Sequence, residues 1–65
     1  MEVKEMLVRG QLRKCGVPVP EKITEQTAAT TLYWLRISGL EMIPADLTAK
    51  EYARIWNELV GRKFS

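Results

Sequence analysis

The chain has 65 residues, 46% of them apolar, with 10 Lys and Arg against 8 Asp and Glu for a net charge of +2. That length leaves room for one domain, near the lower limit for a core without disulfide or metal staples, and the apolar fraction excludes a disordered tail. One cysteine and no histidine exclude an internal disulfide and a Cys/His zinc site, and fit a reducing compartment.

A first helix is predicted over about residues 2–15. It stops at KCGVPVP, where Gly16 takes a left-handed conformation, Val17 folds back on Leu12 and Pro18 blocks continuation. This segment holds the whole charge excess, Lys4, Arg9, Arg13 and Lys14 against Glu2 and Glu5, while the remainder balances to zero. Its apolar residues fall into two arcs at about 100° per residue. Val8, Leu12 and Cys15 form one, and Val3, Met6 and Leu7 the other.

A second helix follows over about 21–38, starting at Pro20 or Thr24. Gly39 terminates it and Leu40 folds back on Leu35. The stretch TTLYWLRI also reads as a short buried strand, although it has no second strand to pair with. Read as a helix, it is apolar on two sides, with Ala28, Leu32 and Leu35 opposite Ile23, Tyr33, Trp34 and Ile37. A hydroxyl strip of Thr24, Thr27, Thr31 and Ser38 separates them, and Lys22, Glu25 and Arg36 take the remaining side. Two apolar sides predict a helix sandwiched between neighbours.

The connection LEMIPAD is extended, because a residue before proline avoids the helical region. A third helix spans about 49–60. Thr48 and Glu51 form a capping box, Leu47 staples against Tyr52, and Gly61 supplies a left-handed stop. Tyr52, Ile55, Trp56, Leu59 and Val60 share one broad arc with Ala49 and Ala53, against Lys50, Arg54, Asn57 and Glu58 on the other. That is the pattern of a surface helix laid on a core.

The fold class is therefore all-α, a compact three-helix domain with short connections. Such a domain needs one inward face per helix, so the second arcs of helices one and two are surplus apolar surface. Either the 40–47 connection and the C-terminal tail cover it, through Leu40, Met42, Ile43 and Phe64, or it is an interface.

No constellation of catalytic groups stands at fixed spacing. Cys15 falls in an apolar arc near a helix C-terminus, which disfavours thiolate, so it reads as an inert core cysteine. Glu5 with Arg9 and Arg54 with Glu58 are four apart and read as solvated intrahelical pairs. Neither a glycine-rich phosphate loop nor a calcium loop is present. No apolar run approaches the roughly 18 residues that span a bilayer. The opening residues, with Glu2 and Glu5, do not read as a signal peptide, and the expected location is cytoplasmic.

The expected function is a non-catalytic binding or regulatory module that docks a protein partner or a second copy of itself. Its docking residues are Val3, Met6, Leu7, Tyr33, Trp34 and Ile37, with Arg9 and Arg13 on the rim. No cofactor, metal, small-molecule substrate or membrane is implied. The alternative is a small DNA-binding regulator contacting phosphates through Lys4, Arg9, Arg13, Lys14, Arg62 and Lys63, helped by the hydroxyls of Thr24, Thr27 and Thr31. TTLYWLRISGL resembles in general terms the second helix of a helix-turn-helix unit. Yet the preceding turn is long and carries two prolines, and the outward face of that helix is mixed in charge.

Overall fold

The computed structural model describes residues 2–15, 20–40 and 42–62. They form three α-helices, α1 (Val3–Lys14), α2 (Glu25–Ser38) and α3 (Ala49–Gly61), with no strand among the described residues. TTLYWLRI is helical throughout. The expected stop of α1 at Gly16, Val17 and Pro18 lies outside the described residues.

α1 has no side-chain N-cap, but it carries Glu5 in its first turn and Arg13 and Lys14 in its last, the placement that suits the helix dipole. α2 starts at residue 25 rather than 21, because the chain before it is held extended against α3. Asn57 accepts from the Ile23 N–H at 2.8 Å and donates to the Ile23 carbonyl at 3.0 Å. The Trp56 indole donates to the Glu21 carbonyl at 2.7 Å. With both backbone groups of Ile23 taken, the first helical turn waits for Thr24, whose hydroxyl accepts from the Thr27 N–H at 3.2 Å.

At the other end Gly39 adopts the left-handed conformation, φ 66°. Leu40 does not fold back on Leu35. It stands exposed, and the turn closes through the Ser38 hydroxyl, which donates to the Leu35 carbonyl and accepts from the Leu40 N–H. Leu47 is buried and is tied to α2 by Arg36, which donates to its carbonyl at 3.0 Å.

α3 opens on Thr48, which accepts from the Glu51 N–H at 3.1 Å. The reciprocal half of the capping box is not made, because the Glu51 carboxylate turns to Lys4 at 3.2 Å. Leu47 and Tyr52 are both fully inside the core, as a hydrophobic staple requires. Gly61 is not a left-handed stop. It belongs to the helix, and the cap is Arg62, whose N–H reaches the carbonyls of Glu58 and Leu59.

α1 and α2 each pack on α3, and no Cα of α1 comes within 8 Å of α2. The core joins Leu7, Val8 and Leu12 of α1 to Ala28 and Leu32 of α2 through Leu47, Tyr52, Ala53, Ile55, Trp56 and Leu59. The flanked helix is therefore α3, and the expectation that α2 lies between two neighbours is corrected. α3 can receive both because its buried residues span an arc of about 160°, Ile55 at one edge and Ala53 at the other. The Tyr52 and Trp56 rings, 6.1 Å apart and nearly parallel, fill its middle.

Candidate docking surface

On α2 the residues opposite Ala28 and Leu32 are Thr30, Tyr33, Trp34 and Ile37, brought to one face by the helical period. Tyr33, Trp34 and Ile37 are 56%, 65% and 57% exposed. Leu40 and Met42, just past the helix, are 85% and 92% exposed. The expected cover from the connection thus does not form at these two residues. Of its members Ile43 packs against the core, and Phe64 lies outside the described residues.

The threonine hydroxyls of this helix bond back to it, and the uncharged Gln26 is the exposed amide on the face, about 20° from Ile37. Thr30 donates to the Gln26 carbonyl and Thr31 to the Thr27 carbonyl, while Thr24 and Thr27 share a hydrogen bond. Back-bonding of this kind uses the hydroxyl proton within the helix. The hydroxyl strip is therefore committed to its own helix rather than held ready for phosphates. Residues 26–35 contain no charged side chain. The Tyr33 and Trp34 rings, tilted at 55° with centroids 5.7 Å apart, stand beside a shallow depression over Ala29 and Thr30.

The α1 candidates divide. Val3 and Met6 are exposed, but Leu7 is only 8% exposed and belongs to the core, so it is corrected from docking to packing. Leu7 sits between the two arcs and falls to the side that α3 covers. Val3 and Met6 stand on a helix separated from α2, and α3 holds the two apolar sets apart.

The cations do not gather. Lys4 lies 2.9 Å from Asp46 and 3.2 Å from Glu51. The hydrogen bond to Asp46, then that to Glu51, raises the Lys4 amine above its ordinary value, and the bond from Lys4 holds the Asp46 carboxyl below its own. Arg9 pairs with Glu5 at 3.1 Å, on the same rim where docking contacts were expected. Arg62 lines a groove with Glu2, Glu5, Arg54 and Glu58. Arg13 and Lys14 are exposed at the far end of α1, and Lys63 lies outside the described residues. Arg54 and Glu58 pair at 2.9 Å as their spacing predicts.

Cys15 is exposed rather than in the core, although its backbone is still helical, φ −61°, and its N–H reaches the Gln11 carbonyl at 3.2 Å. Among the described residues no group of three or more His, Cys, Asp or Glu could hold a metal ion, and no helix is long and apolar enough to cross a membrane. Sequence reasoning gave Leu40 and Met42 the role of cover, and missed that both stand exposed. No family model, curated protein or solved structure matches this chain.

Proposed function

We propose that this chain is a non-catalytic binding module that docks a protein through the outer face of α2. The observation that carries this is an uncharged helix face bearing an exposed Tyr and Trp on a domain whose core closes without them. Tyr and Trp are the residues in which interface energy concentrates, and contiguous exposed apolar surface on a folded domain marks interaction sites. Val3 and Met6 stand as a separate, smaller apolar surface.

Nucleic acid is the weaker alternative, since Lys4 and Arg9 have carboxylate partners and Arg62 sits among acidic residues. The test is co-purification of the tagged full chain from extracts of the cells that make it. Proteins retained by the wild type and by Lys50→Ala, but lost with Trp34→Ala, are the expected result. An unchanged set with Trp34→Ala, or nuclease-sensitive retention lost on reversing Arg13 and Lys14 to Glu, overturns this reading.

A further inference from the structure

We infer that the occupant of the α2 face is a second copy of this chain, the two α2 helices packing antiparallel across a twofold axis near Thr30. This rests on the docking face proposed above and names its partner.

A twofold interface sets each residue near the axis against itself or a close neighbour, so any charge there meets its like. The α2 face meets that condition, because the first charges flanking residues 26–35 are Glu25 and Arg36. Relative to Ile37 they lie about 120° and 100° around the helix in the same sense, hence on one edge of the face. A twofold that runs the helices antiparallel keeps that edge on one side of the pair while exchanging its ends. Glu25 of each copy then meets Arg36 of the other. No equivalent pairing arises when the helices run parallel, since the two edges then fall on opposite sides.

Shape agrees with charge. The register that pairs Glu25 with Arg36 centres between Thr30 and Thr31, and brings Tyr33 of one copy close to the level of the exposed Ala29 of the other. The small residues Ala29 and Thr30 line the shallow depression, and the rings of Tyr33 and Trp34 stand at its margin. Each copy therefore offers both the knob and the hole. Area sets the strength. With about 150–250 Å² for each aromatic and more than half of each exposed, four rings supply roughly 400–600 Å² of the 1,200–2,000 Å² in a stable interface. The dimer is thus a weak one, with a dissociation constant of roughly micromolar or above.

The experiment is sedimentation velocity of the full chain from about 1 to 500 μM, with circular dichroism of every variant. Wild type is expected to self-associate. Thr30→Arg, which places like charges at the axis, weakens association about tenfold or more. Ala29→Arg serves as the second axis variant should the first lose helix content. Glu25→Lys weakens it about fivefold, and adding Arg36→Glu restores it, with Arg36→Gln, which loses the charge as well as the guanidinium bond to the Leu47 carbonyl, as the control for the fold.

A wild type that stays monomeric across the range overturns the second copy as occupant, while co-purification dependent on Trp34 would leave the docking face standing. A dimer indifferent to both axis variants removes the interface from α2. Failure of the charge swap to restore association that Glu25→Lys has weakened overturns the antiparallel register.

Discussion

Asn57 shows how one side chain sets a helix boundary. Its amide presents an acceptor and a donor to the N–H and carbonyl of the same residue, Ile23, as a neighbouring strand would. Asn57→Ala leaves both backbone groups to find water in a partly covered site, and is expected to cost about 1–3 kcal/mol in urea denaturation. Asn57→Asp keeps the acceptor for the N–H but turns a carboxylate oxygen on the Ile23 carbonyl. It should destabilise at neutral pH and recover partly when protonated, because the acid O–H then donates. Equal stability of wild type and Asn57→Asp at pH 7 would show that the donor half contributes nothing. This role was not legible in the sequence. Helical spacing assigned Asn57 to the polar arc, where it does lie, but spacing says nothing about which other segment runs past that edge. Cys15 failed for a related reason, since its helical angle was right but spacing does not say how far along α1 its neighbours cover it.

At the scale of elements, capping chemistry was readable where it is local and misread where a distant residue competed. Thr24, Thr48 and Gly39 act as their types dictate. Glu51 departs, because Lys4 offers it an opposite charge while the Thr48 N–H offers only a neutral donor. The exchange ties the first turn of α1 to the start of α3, and Asp46 joins from the connection. The pH dependence follows in sign. Asp46 titrates below its ordinary value of 3.8 in the folded chain, so its pairing stabilises above that value and is lost as pH falls through the lowered one. Lys4 titrates above 10.5, so its contribution is complete below that pH and is lost as pH rises through the raised value. Lys4→Met keeps most of the alkyl stem and deletes the pairing. Between pH 7 and pH 3 the urea midpoint of the wild type should fall more than that of Lys4→Met. Parallel falls would mean that the ion pairs, which are solvent-screened, add nothing measurable.

For the whole molecule, the three helices and the buried stripe of α3 were legible because periodicity reports how apolar residues are spaced. What periodicity does not report is which helix lies in the middle. Two-sided α2 was expected there, yet one-sided α3 takes the place, since bulky residues across its wide arc serve two neighbours and leave the second side of α2 bare. Two arms on one hub, with no Cα of one arm within 8 Å of the other, make the domain's cooperativity depend on α3. At about 0.05–0.15 kcal/mol per residue a chain of 65 residues has roughly 3–10 kcal/mol of total stability. Trp56→Ala, at about 3–5 kcal/mol, takes most of that and also releases Glu21, so amide hydrogen exchange should lose protection in all three helices together. Leu12→Ala removes a buried residue near the end of one arm, at about 2–5 kcal/mol. α1 can then open while α2 remains docked, so exchange should accelerate in α1 first and leave the slowest amides of α3 tied to global unfolding. Uniform acceleration in both arms with Leu12→Ala would mean that α1 and α2 are coupled through the hub, and that the chain unfolds as one unit despite the gap between them.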